Sequence, residues 1–139
     1  MERVTVTRPV IIKVVVTEDY KKGLAAQLRE SLRRTELELQ RLEFEGRRQL
    51  MELEKHHPAG VAAARERLAQ EKKKREEVRQ GLLEKLQLVV QLEPGTEVVH
   101  GQLESLVEVA VGDSWRRLMA VEIVVRDGLI VAIREAGTG

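Results

Sequence analysis

The sequence predicts an α+β protein: a long antiparallel two-helix hairpin, coiled-coil-like, inserted between an N-terminal β-strand and C-terminal β-strands. Those strands are expected to form one small antiparallel sheet or barrel-like domain. Three observations lead there. Residues 18–57 carry nine basic and nine acidic groups, and residues 58–93 carry eight and six. A stretch so densely charged, with both signs interspersed, cannot wrap a core around itself and reads as helices with solvated faces. Residues 4–16 and 98–133 are instead rich in Val and Ile, which fit a pleated, half-buried surface. Finally, His56-His57-Pro58-Ala59-Gly60 interrupts the charged middle, and a short break between amphipathic helices favours antiparallel neighbours. The expected division is residues 1–17 plus 94–139 as a β-domain, and 18–93 as the hairpin with its turn near 57–60.

Composition bounds the function. The chain has 139 residues, room for one ordinary domain. Its formal net charge of +1 gives only a weak summed field for a general polyanion binder. With no cysteine there is no disulfide, thiolate nucleophile or zinc-thiolate site. The uncharged run at residues 86–92 is far short of the roughly 20 apolar residues a membrane span needs. Lys13 interrupts the apolar N-terminus and no small-residue cleavage site follows it, so no signal peptide is expected. A soluble cytoplasmic protein is the expectation, with no membrane contact and no small-molecule substrate.

The first helix is expected to start at Thr17 as N-cap, with Glu18 and Asp19 in the first turn, where the helix dipole favours negative charge. Leu28, Leu39 and Leu50 recur eleven residues apart, as do Leu42 and Leu53, a period that keeps a helix nearly straight. The second helix places Val61, Leu68, Leu82 and Val89 on a seven-residue ladder with Arg75 at the missing rung. A reversal at Pro58–Ala59 pairs Leu53 with Ala64, Leu50 with Leu68, Leu39 with Val78, Thr35 with Leu82, and Leu28 with Val89. It also sets Gly46 against Glu71 and Leu42 against Arg75, so the middle of the hairpin is expected to be its weakest part. Gly23, Gly46 and Gly81 each cost about 1 kcal/mol against alanine in a helix interior.

Pro94-Gly95 should end the second helix. Strands follow at 102–111, 122–126 and 129–134, with a slip in alternation near Ser105–Leu106 that suggests a bulge. Asp127-Gly128 between β-formers signals a type I′ hairpin. The N-terminal strand should be kinked at Pro9, which cannot sit inside a central ladder. Trp115 is expected to fill the small core or cover one end of it.

Several clusters are candidates for chemistry. His56 and His57 are adjacent, and adjacent helical residues do not share a face. Glu54 and His57 have Glu-x-x-His spacing, but a di-iron centre needs two such motifs and further carboxylates. No metal site and no cofactor are expected, and His56, His57 and Pro58 read as a polar tip available to a partner. Lys72, Lys73, Lys74 and Arg75, with Arg47 and Arg48, are candidate phosphate contacts. Consecutive helical residues fan out, however, and Glu43 and Glu45 would face Lys74 and Lys72, so a cross-paired solvated belt is the simpler reading. Gly112-Asp113-Ser114-Trp115 gathers an aspartate, a serine and a tryptophan in one turn. A nucleophilic serine needs a base within reach and nothing brings His100 there; Asp113 reads as a turn residue bonding its own backbone. No catalytic residue is assigned, and the chain is expected not to be an enzyme.

The order of segments resembles the bacterial YlqD family. The residues carrying it are Val4-Thr5-Val6, the stretch Val109-Ala110-Val111-Gly112-Asp113-Ser114-Trp115, and the run from Glu122 through Asp127-Gly128 to Ile130. The charged middle matches in character. The resemblance implies no assigned activity and no functional residues to carry over. In some genomes such genes resemble in placement those for a small-subunit ribosomal protein, a ribosome maturation factor and a transfer-RNA methyltransferase, a hint towards translation. The leading expectation is a non-enzymatic interaction or scaffold protein whose helical arm engages an unknown protein partner by its tip or flanks, or associates with itself. The alternative is an RNA- or ribosome-associated assembly factor contacting phosphates through the basic helix residues.

Overall fold

The computed structural model describes residues 1–135. In chain order it holds β1 (Arg3–Val15), α1 (Glu18–His56), α2 (Val61–Gln91), β2 (Glu97–Ala110), β3 (Val121–Arg126) and β4 (Leu129–Glu135). Short 3-10 helices lie at Pro58–Gly60 and Trp115–Leu118. Contacts divide the chain into two units: the N-terminal residues through Lys21 with the chain from Leu92 onward, and Lys22–Gln91.

The first unit is an open four-stranded sheet in the order β2-β1-β3-β4. It is mixed, which corrects the expectation of an antiparallel sheet or barrel. β2 runs antiparallel to β1, but β3 lies along the other edge of β1 and parallel to it, Val10 beside Val121 through Val14 beside Val125. The reason is geometric. Consecutive strands β2 and β3 keep opposite directions, and with β1 inserted between them β3 must run with β1. The outer strands β2 and β4 each pair on one side only, so the sheet does not close.

Pro9 is accommodated because the register with β3 begins one residue later, at Val10. Over Arg3–Pro9 β1 is paired with β2 alone. The bulge falls at His100, skipped between Ile12 opposite Gly101 and Lys13 opposite Val99, rather than at Ser105–Leu106. Gly101 beside the extra residue relaxes the backbone there. A second slip, at Val131, lies where Val124 faces Ala132 and Val125 faces Ile130.

The core of this unit is made of valines: Val10, Val15, Val16, Val107 and Val124. Trp115 is not in it; at 66% exposed it lies on the 3-10 helix capped by the Ser114 hydroxyl. The buried valines lie on the strands or directly after β1, and Trp115 stands on a short turn outside them. Asp127 (φ 47°) and Gly128 (φ 82°) form the β3–β4 turn with both centres left-handed, as a type I′ hairpin requires. Thr17 caps α1: its Oγ1 accepts from the Tyr20 N–H at 3.0 Å and donates to Asp127 Oδ1 at 2.7 Å. The chain leaving α2 returns to the same place, Val16 N–H donating to Thr96 O and Gly95 N–H to Val16 O, both at 2.8 Å.

Within the second unit, α1 and α2 meet along small residues, with Thr35, Gly46, Ala64 and Val89 buried. The Thr35 hydroxyl is satisfied by the Ser31 carbonyl at 3.0 Å. Ion pairs cross the seam from Glu54 to Arg65 (3.4 Å), Glu38 to Arg75 (3.6 Å) and Glu36 to Arg79 (3.4 Å), so residue numbers fall along one helix as they rise along the other. Gly46 is covered by Leu68. The expected cross-pairs of Glu43 with Lys74 and Glu45 with Lys72 do not form. Glu43 pairs with Arg47 on its own helix, and Lys74 with Glu71.

Candidate partner-binding surfaces

The tip between the helices is set by Pro58. A residue before proline is pushed out of the helical region, and His57 accordingly has φ −144° and ψ 69°. Its N–H still donates to Leu53 O at 2.7 Å, ending α1, while Pro58, which has no N–H to leave unpaired, opens the 3-10 turn. His56, His57 and Pro58 are all exposed, and His56 Nε2 stands 3.7 Å from Glu52 Oε2. Among the described residues no group of three His, Asp or Glu side chains is placed to hold a metal ion.

The basic candidates do not converge. Arg75 is half-buried against Glu71 (2.7 Å) and Glu38, and donates to the Glu71 carbonyl as well. The Arg75 hydrogen bond, then the Lys74 charge, hold the Glu71 carboxyl below its ordinary range. Lys74 is shared with Glu71, and Arg47 with Glu43 at 3.1 Å. Lys72, Lys73 and Arg48 are exposed. Further along α1, hydrogen bonding from Arg33 and then Arg34 lowers Glu30 from 4.5 to about 2.

The Asp113 turn is self-contained. Asp113 Oδ2 accepts from the Ala110 N–H at 2.9 Å and from Arg117 Nη1 at 3.0 Å, and Ser114 Oγ accepts from the Arg116 N–H at 3.3 Å. Arg8 donates to Ser105 Oγ and to the Arg117 carbonyl, holding this turn against β1 and β2.

Two features escaped sequence reasoning. The first is a charge network across all four strands. Glu122, only 7% exposed, accepts from Lys13 at 2.8 Å and from Arg134 Nε at 2.7 Å, and Arg134 also binds Glu97 bidentately. Lys13 foremost, then Arg134, hold the Glu122 carboxyl below its ordinary range. Lys13 and Glu122, each a lone charge in a Val/Ile run, were the available signal. The second is a row of exposed apolar side chains on α1: Leu37, Phe44 and Met51. β4 also exposes Leu129, Ile130, Val131 and Ile133.

Together these features define an α+β protein in which a two-helix unit, tied by arginine–carboxylate pairs, is inserted between the first and second strands of a mixed sheet. The chain belongs to the YlqD protein family, whose model matches residues 4–134. It is similar to a protein of unknown function from Synechococcus sp. WH 8102 known from a crystal structure, at 30% identity and a TM-score of 0.74, covering 96% of this chain and 95% of that one. No curated protein matches it.

Proposed function

We propose that this is a non-enzymatic interaction protein, in which α1 and α2 form one antiparallel, coiled-coil-like hairpin that a small β-domain presents to a protein partner. The observation that carries this reading is how the helical unit uses its side chains. Its cross-helix ion pairs and small buried residues hold the helices together, yet large apolar groups, among them Phe44, Met51, Val78 and Leu88, are left in water. Exposed apolar groups of this size favour a covering surface. A bacterial, cytoplasmic setting is part of the same reading, and fractionation of the native cell tests it.

Spin labels at positions 39 and 78 should lie about 10 Å apart if the helices pair as a hairpin; a separation several times larger refutes that geometry. Affinity capture from the native cell at two salt concentrations, with residues 52–60 deleted as the control, should lose its protein partners on deletion. A second reading is favoured by the exposed Lys72 and Lys73: contact with RNA or ribosomal particles. Phosphate contacts weaken steeply as salt rises, so co-sedimentation with ribosomal particles at low salt only would favour it. The exposed apolar residues of β4 support self-association through the sheet, and sedimentation equilibrium showing a strict monomer at high concentration removes that possibility.

A further inference from the structure

The charges of α1 are sorted by face. At about 100° per residue, Leu37, Phe44 and Met51 share one line of the helix, opposite to the buried Thr35 and Gly46, the latter against Leu68 of α2. These outward side chains are 43%, 69% and 59% exposed, and they span about 21 Å of helix. Arg33, Arg41, Arg47, Arg48 and Lys55 border this row, all within about 60° of it. The carboxylates Glu36, Glu38, Glu43, Glu45, Glu52 and Glu54 stand further round the helix, about 80–120° from the row, and three of them bind α2 arginines; Glu30, within about 40° of the row, is held by Arg33. Among the described residues the side chains of Arg41, Arg48 and Lys55 make no ion pair. On its inner side α1 therefore registers a neighbouring helix through small or apolar seam residues edged by its own acids and the neighbour's bases. On its outer side it offers an apolar row edged by bases, of which Arg33 and Arg47 are paired on their own helix and Arg41, Arg48 and Lys55 are not.

We infer that the outer face of α1, centred on Phe44, docks an amphipathic helix of a partner protein that sets apolar side chains against Leu37, Phe44 and Met51 and carboxylates against Arg41, Arg48 and Lys55. The proposal rests on the interaction reading above and names the surface and the chemistry of the partner. A second copy of this chain does not fit, because two such faces would oppose like-charged rows. Single-stranded RNA fits less well. Base stacking needs aromatic platforms, and Phe44 is the one aromatic in the row, with Leu37 and Met51 offering no π-face. Phe44 sits centrally, where an anchoring aromatic carries most of the binding energy.

The test uses the full chain and two synthetic, fluorescein-labelled helical peptides of identical apolar pattern, one with glutamate flanks and one with lysine flanks. Fluorescence anisotropy should show the glutamate peptide binding at least about tenfold tighter than the lysine peptide. Phe44→Ala should weaken it by about tenfold or more. The pair Arg41→Glu with Arg48→Glu should reverse the preference between the peptides, a readout that mere loss of structure would not produce. Far-UV circular dichroism checks that each variant stays helical. No binding of the glutamate peptide, equal binding of both peptides, or an unchanged affinity on Phe44→Ala overturns the inference. So does Phe44-dependent dimerisation in sedimentation, or Phe44-dependent binding of polyuridylate. If capture from the native cell depends on residues 52–60 but not on Phe44, the interaction reading stands while this inference falls; if capture recovers no protein at all, both fall.

Discussion

Replacing Gly46 with alanine separates helix propensity from packing. By propensity alone the substitution should stabilise α1 by about 1 kcal/mol, since glycine loses more backbone freedom than any other residue on entering a helix. The structure opposes this. A β-carbon at Gly46 would stand 2.5 Å from Leu68 Cδ2, 2.6 Å from Cδ1 and 3.1 Å from Cγ, so the whole end of the leucine must move, not one methyl. Leu68 sits in a seam with buried Ala64 nearby, and overpacking such a site costs about 1–3 kcal/mol. Set against the propensity gain, the net expectation is a loss of about 1 kcal/mol. Gly23 and Gly81 provide internal controls: nothing lies within 4 Å of a β-carbon at either, so alanine there should stabilise by up to about 1 kcal/mol. The assay is urea unfolding followed by circular dichroism at 222 nm, with the three single variants compared to the parent. Leu68→Ala and Gly46→Ala together should cost less than the sum of the two single losses, since the two residues are in contact and their effects are not additive. If Gly46→Ala stabilises as much as Gly23→Ala, the close approach of the helices at this point is wrong.

Three further outcomes follow from the geometry. Thr17→Ala removes the hydroxyl that caps α1 and binds Asp127, and thermal denaturation should show a loss of about 1 kcal/mol. The Glu122 carboxyl is held low in the folded state, so its stabilisation is present above the ordinary carboxylate pKa of 4.5 and fades as pH falls through that range towards the lower folded value. Glu122→Gln should therefore be less stable than the parent at pH 7, with the gap narrowing in urea titrations as the pH drops below that range; a gap independent of pH refutes the network's role. NMR titration should place Glu30 at about 2 at low ionic strength. Because Glu30 and Arg33 are exposed, molar salt should bring it back towards 4.5 by screening.

Local chemistry made much of the fold legible. Charge density marked the two helices, Pro58 and the residue before it marked the break between them, and Asp127-Gly128 marked the β3–β4 turn. Thr17 was readable as a cap because capping depends on one hydroxyl and the N–H three residues on. Each of these features is decided within a few residues. The candidate surfaces were less legible. The tip was named from the sequence, but the outward row of Leu37, Phe44 and Met51 was not, because its seven-residue spacing gains meaning only once the opposite side of α1 is known to be occupied. The expected burial of Trp115 failed for a related reason: size and hydrophobicity favour a core position, but Trp115 lies on a 3-10 helix outside the strands that carry the buried valines.

The amino-acid sequence by itself determined the kinds of element, their order and the points where the chain turns, since propensity, capping and turn chemistry act through neighbouring residues. Only the tertiary structure decided that β1 lies between β2 and β3, which makes the sheet mixed. It likewise decided that Leu68 closes over Gly46, and that Lys13, Glu122, Arg134 and Glu97 join across four strands. Those outcomes depend on strand order, on helix axial offset and on the reach of long side chains between distant parts of the chain, and no local pattern encodes them.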